Sequence, residues 1–171
     1  NATPIHPLPQ KTSERSASLL RLDSATAAVR WRFPTPESPE PRIAAFGSST
    51  DGARIVCLAV ASPARPDGKQ DVSAEVVALD GSTGLVTHRL PLPEPPPFAG
   101  SISFSLDVLS DGSAAALGAS DGRIWVFNLD AEGTLALRWR HELIAAEQAE
   151  RVRDHGGVCR VVAATEAFCF A

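Results

Sequence analysis

The amino-acid sequence predicts an all-β chain of repeated, antiparallel, four-stranded sheets, and three observations carry that prediction. Three segments share one Leu-Asp hairpin pattern; the stretch from Ile102 to Val108 alternates apolar and polar residues; and the hairpin returns after 57 residues and again after 50, counted from Asp23 to Asp80 to Asp130. Of the 171 residues 44% are hydrophobic and 21% charged, which excludes an ordinary disordered chain and leaves room for a core.

The hairpins come first. Ser18 to Phe33 reads SLLRLDSATAAVRWRF, Glu75 to Leu90 reads EVVALDGSTGLVTHRL, and Arg123 to His141 reads RIWVFNLDAEGTLALRWRH. Each is an apolar run ending in Leu-Asp, a short turn and a second, alternating run. Asp can bond to backbone two residues ahead, and Gly81, Gly84 and Gly133 can take positive φ, so each segment folds as two antiparallel strands. In the first outgoing strand Val29, Trp31 and Phe33 share one face and Arg30 and Arg32 the other. The third repeats it, with Leu137 and Trp139 opposite Arg138 and Arg140, so that Ala28 to Arg32 matches Ala136 to Arg140 almost letter for letter. His88 stands where the sister units carry Trp, which favours a structural role over a ligand role.

A second pattern precedes the later two hairpins. Ile43 to Gly52 and Ile102 to Gly112 each run into an Asp-Gly turn, at Asp51-Gly52 and Asp111-Gly112, and are followed by small apolar strands, Ala53 to Ala61 and Ser113 to Ala119. Four antiparallel strands per unit is the construction of a β-propeller blade. Ile124-Trp125-Val126-Phe127 is apolar on both faces, as a strand between two neighbouring blades must be, and the alternating arginines suit an outer edge that resists pairing with other chains. The expected architecture is an incomplete propeller with two whole blades, 43–90 and 101–141. The outer half of a blade at 17–33 precedes them, and the inner strands of a further blade at 157–171 follow. Residues 1–16 form a flexible tail or inter-blade connection.

Residues 142–155 read as a helical insertion, with one short helix near 143–154: Glu147 and Arg151 are spaced i,i+4, and Gly156-Gly157 is a stop signal. Val158 to Val162 and Glu166 to Ala171 then form a hairpin in whose register Cys159 faces Cys169, either as two small buried residues or as a disulfide. Two proline-rich stretches, 34–42 and 91–100, are expected to be stiff surface connections. The polar loop 62–71 accounts for the longer first spacing.

On these residues a resemblance stands. Leu79-Asp80-Gly81-Ser82-Thr83-Gly84, and Leu22-Asp23-Ser24-Ala25-Thr26 with its Trp-bearing strand, resemble the blade motif of quinoprotein-like propellers. Ser110-Asp111-Gly112 through Ser120-Asp121-Gly122-Arg123-Ile124-Trp125-Val126-Phe127 is similar to a WD-repeat blade. Together they cover roughly residues 17 to 141, and both families stay open. The first implies a fragment of an exported enzyme or sensor whose active centre lies in missing blades. The second implies an interaction scaffold.

No catalytic constellation accompanies the repeat. His6, His88, His141 and His155 form no close pair, there is no G-x-S-x-G elbow and no phosphate loop, and Asp51, Asp111 and Asp121 each stand almost alone before Gly, as turn formers do. Cys57, Cys159 and Cys169 lack the close pairs of structural zinc sites. Sixteen Lys+Arg against 20 Asp+Glu give a charge of -4, no reason to expect nucleic acid, and no apolar run is long enough to insert in a membrane. The expectation is a non-catalytic propeller segment without cofactors, soluble and cytoplasmic rather than exported. It serves as a protein–protein interaction scaffold whose partners are other subunits or the remaining blades. Arg30, Arg32, Arg138, Arg140, Glu147 and Arg151 are the candidate contacts. With no Met, and Asn1 at its start, the chain is expected to be a portion of something larger.

Overall fold

The computed structural model describes residues 18–35, 41–61, 72–94, 102–142, 161–163 and 168–170, and every regular element among them is a strand. The first hairpin is β1 (Leu19–Leu22) and β2 (Val29–Phe33). A first unit of four follows: β3 (Arg42–Ser48), β4 (Arg54–Ala61), β5 (Ser73–Asp80) and β6 (Val86–Pro91). A second is β7 (Phe104–Val108), β8 (Ala114–Ala119), β9 (Arg123–Leu129) and β10 (Leu135–Glu142), and β11 (Val161–Ala163) with β12 (Phe168–Phe170) ends the series. All pairing is antiparallel between chain neighbours, giving two complete four-stranded sheets flanked by two two-stranded ones, and none closes into a barrel. The predicted architecture of whole and partial antiparallel units is therefore the observed one. The tail 1–16, the loop 62–71 and the helix expected near 143–154, with Glu147 and Arg151, lie outside the described residues.

The units stack through alternating faces. Val56, Leu58 and Val60 on β4 and Val76 and Ala78 on β5 point to one side. There they meet Leu106, Val108, Ala115, Leu117, Trp125 and Phe127 of the next sheet in the main core. The intervening Cys57, Ala59, Val77 and Leu79 point to the other side, onto Leu19 and Phe33 of the first hairpin. Ala116, Ile124 and Val126 likewise turn toward Phe168. With both faces covered, the buried stretches of the middle strands, Val56 to Val60 and Ile124 to Phe127, are apolar at every position. Each fully buried large side chain, Trp125 and Phe127 among them, contributes about 1.5–3 kcal/mol. The first strands of successive units also stand side by side, β3 against β7 and β7 against β11.

Register corrects three expectations. Each outgoing edge strand carries a bulge, with Arg30, Thr87 and Arg138 as the extra residues. In β2 the bulge follows the pair Val29–Leu22, next to the turn, whereas in β10 it follows Leu137–Phe127, two residues further along. The matching letters at 28–32 and 136–140 thus build the same bulge at different distances from the turn, because the third turn is one residue shorter and the letters begin one residue later after Asp130 than after Asp23. Cys169 pairs with Val162, so the hairpin does not set Cys159 against Cys169, and Cys159 itself lies outside the described residues. Gly84 and Gly133 have positive φ as expected, but Gly81 does not. It is glycine because a Cβ there would run into the carbonyl oxygen of Gly52, whose neighbour Ala53 accepts the Gly81 N–H at 2.8 Å.

Candidate functional site

The Leu-Asp turns are locked locally. Asp80 accepts from the Ser82 and Thr83 amides at 2.9 and 2.8 Å and from both hydroxyls. The Ser82 hydroxyl first, then the Thr83 amide, pulls the Asp80 carboxyl from an ordinary 3.8 down to about 2. Asp23 falls equally far, first through Arg30 and then through the Thr26 and Ala25 amides. Asp51, Asp111 and Asp130 are lowered by similar turn bonds, from the Ser49 hydroxyl, the Ser113 amide and the Thr134 amide respectively. These carboxylates are occupied by their own backbones. Among the described residues no group of three His, Cys, Asp or Glu is arranged to hold a metal ion.

Each locked turn is in turn gripped by the unit before it. The carbonyl of Gly81 accepts from the Arg21 guanidinium and from the Trp31 indole N–H at 3.0 Å, while the Trp31 ring lies over Gly84, where a Cβ would come within 2.6 Å. One unit later the carbonyl of Ala131, the matching residue after Asp, accepts from Arg54. His88, at the Trp31 position, accepts the Leu135 N–H on Nδ1 at 2.6 Å, and Thr87 donates to the Gly133 carbonyl at 3.2 Å. The sheet-to-sheet grip keeps its place while its chemistry reverses: an indole donates where an imidazole accepts. His88 is a structural residue.

The first part of the second proline-rich stretch also serves this junction. Leu92 is buried, Trp125 donates to the Pro93 carbonyl at 3.1 Å, Arg123 donates to the Glu94 carbonyl at 3.2 Å, and the Glu94 carboxylate pairs with Arg140. Residues 36–40 and 95–100, the rest of the two connections, lie outside the described residues.

The candidate arginines separate accordingly. Arg30 is tied to Asp23 of its own hairpin, and Arg140 to Glu94 and Glu142, with its guanidinium pKa raised first by Glu94. Arg32 and Arg138 are exposed on edge strands. The four are spread over two units and converge on no common surface. Cys57 is fully buried between the first hairpin and β5, and desolvation pushes its thiol up to about 12, so it is an unreactive packing group.

What the fold does assemble is a groove that composition and motif do not reveal. It has a volume of about 450 Å³ and runs along β1, lined by Leu19, Leu20, Leu22 and Trp31 on one side and Phe46 and Ile55 on the other. Among the described residues β1 pairs with β2 alone, and none of them stands at the edge where a second strand lies in the four-stranded units. Leu20 and Leu22 are each 52% exposed and Phe46 59%. A signal was present in the sequence: Phe46, three residues before Ser49 as Leu106 is before Leu109, is a large apolar residue in a unit whose preceding neighbour is only half formed.

No protein-family model matches the chain, and no curated protein matches it. Among the described residues no helix is long and apolar enough to cross a membrane.

Proposed function

We propose that the chain is a segment of a β-propeller of the WD-repeat or quinoprotein-like kind, acting as a non-catalytic scaffold that associates with further protein through its uncovered sheet edge. One observation carries this reading. Phe46 and Leu106 occupy the same place in β3 and β7, yet Leu106 is 7% exposed and Phe46 59%. Leu106 is covered by the sheet before it; Phe46 looks over the open edge of β1. A contiguous apolar surface beside a strand edge that no described residue pairs suits strand addition, since main-chain bonds supply affinity and the apolar wall supplies specificity.

The test is light scattering of the purified chain across a concentration series, with an environment-sensitive dye reporting exposed apolar surface. The expected result is concentration-dependent association together with dye binding that falls as association proceeds. A stable monomer that leaves the dye silent would overturn the scaffold function.

A further inference from the structure

We propose that His88 is an acid-sensitive latch between the two four-stranded units. Its neutral imidazole holds the start of β10 against β6, and protonation lets that contact go. The latch is independent of the scaffold function above.

The proposal follows from where the ring proton must sit. The Leu135 amide donates to His88 Nδ1 at 2.6 Å, so Nδ1 carries a lone pair and the ring proton is on Nε2. An imidazolium has an N–H at both nitrogens, and at that distance a protonated Nδ1 would set donor against donor. The hydrogen bond and the proton therefore exclude each other. Imidazole is the side chain whose charge ordinarily changes between about pH 5 and 8. The first junction is built differently, because there the Gly81 carbonyl accepts from a guanidinium, Arg21, and an indole, Trp31, group types that keep their protons through that range.

The bond is one of three made to the same turn. Arg54 donates to the Ala131 carbonyl and Thr87 to the Gly133 carbonyl at 3.2 Å, and His88 holds the residue with which β10 begins. Leu135 is 2% exposed and lies in the main core with Leu92, Trp125 and Phe127. Releasing its amide loosens the point at which β10 enters that core, while the other two bonds keep the turn in place.

The charged groups on the surrounding elements do not share this behaviour. On β6 Arg89 pairs with Glu75 of β5 at 3.0 Å, and the β5 residue opposite His88 is Ala78. Asp80, at the end of β5, is bound by Ser82 and Thr83. The start of β4 supplies Arg54, and the β9–β10 turn supplies Glu132 and Asp130, which accepts the Thr134 amide at 2.7 Å. β10 supplies Arg138 and Arg140, the latter held by Glu94 and Glu142. Carboxylates and guanidinium groups ordinarily keep one charge state between about pH 5 and 8, so imidazole is the group type that changes there. His141, the other histidine among the described residues, stands at the far end of β10 opposite Ile124. Because forming the Leu135 bond excludes a proton, its contribution is fully present where the imidazole is neutral and is lost as pH falls through the range in which it gains charge.

The experiment is amide hydrogen exchange of the full chain, read at Leu135 as a protection factor so that the intrinsic pH dependence of exchange cancels. From about pH 7.5 to about pH 5 that factor should fall about fivefold or more, the weight of one ordinary hydrogen bond, while the Trp31 indole N–H keeps its protection. His88→Asn places an amide oxygen, which takes up no proton in this range, close to where Nδ1 stood, and should keep the Leu135 factor level at both pH values. His88→Ala should be low at both, with its fold checked by circular dichroism. Nitrogen NMR of the unaltered chain should find His88 Nδ1 unprotonated at the higher pH. A Leu135 factor that stays level in the unaltered chain, one that falls equally in His88→Asn, or a proton on Nδ1 at the higher pH would each overturn the latch.

Discussion

The junction between β3–β6 and β7–β10 is sealed along its whole length, whereas the junction between β1–β2 and β3–β6 is sealed only over its outer half. Both use the same grip, an arginine on the carbonyl that follows Leu-Asp and a ring from the preceding outer strand against the same turn. They differ inside. β3 stands against β7 across the first junction, whereas across the second, among the described residues, β3 meets the first hairpin at Ile43 and leaves Phe46 59% exposed. The outer grip positions a neighbouring unit, but the inner strands bury its apolar face, so the stability of each unit depends on how much of its neighbour is present.

The largest effect should come from emptying the sealed junction. Trp125→Ala removes a fully buried indole and its bond to Pro93, and is expected to lower the unfolding free energy measured in urea by about 3–5 kcal/mol. Trp31→Ala, at the half-open junction, loses a half-buried ring with one hydrogen bond and should cost about 1–2 kcal/mol. Equal losses at the two tryptophans would break the comparison.

Leu106 and Phe46 sharpen it. Leu106→Ala should cost about 2–4 kcal/mol, and Phe46→Ala within about 0.5 kcal/mol in dilute, monomeric protein, measured by the same denaturation. A large loss at Phe46 in the monomer would mean that its ring is already covered.

The two acid-sensitive hairpins differ in a smaller way. Asp80 and Asp23 both have carboxyl groups held at about 2 in the folded chain against an ordinary 3.8. A lowered folded value means that the contribution is fully present above 3.8 and is lost as pH falls toward 2. Melting temperature should therefore decline over that window, and less steeply in Asp80→Asn. Because Asp23 depends first on Arg30, an exposed ion pair, added salt should weaken its share, while Asp80, held by a hydroxyl and an amide, should respond little. Melts of Asp23→Asn and Asp80→Asn at low and high salt separate the two.

The smallest effect is at Ala27. It stands at the place of Gly84 with φ of 55°, a conformation that costs a residue with Cβ about 1–2 kcal/mol, partly offset in Ala27→Gly by about 0.5–1 kcal/mol of chain entropy. A slight rise in melting temperature is expected, and a fall would show that the alanine methyl packs usefully.

What was legible in the sequence follows from the range of the interactions. The Leu-Asp turns and the alternation in β7 are local, so they are read from adjacent letters. Asp80 needs only Ser82 and Thr83. The bulge positions are set by partner strands and were hidden: identical letters around Trp31 and Trp139 pair two residues apart relative to their turns. The role of Gly81 was misjudged for the same reason, since Gly52, almost thirty residues away in sequence, creates the need for glycine. The groove escaped because its wall joins Leu20 and Phe46 across two units and exists only where a neighbour is half formed. The edge arginines, attractive in sequence, prove to be dispersed.

Amide hydrogen exchange along β1, compared with β5, tests the central claim most directly. Among the described residues β5 is bonded on both edges and β1 on one. In dilute protein the β1 amides that face away from β2 should exchange about tenfold or more faster than their β5 equivalents, and slow toward them as the chain associates. Matching protection of β1 and β5 in the dilute monomer would contradict the account, because the open edge would already be filled.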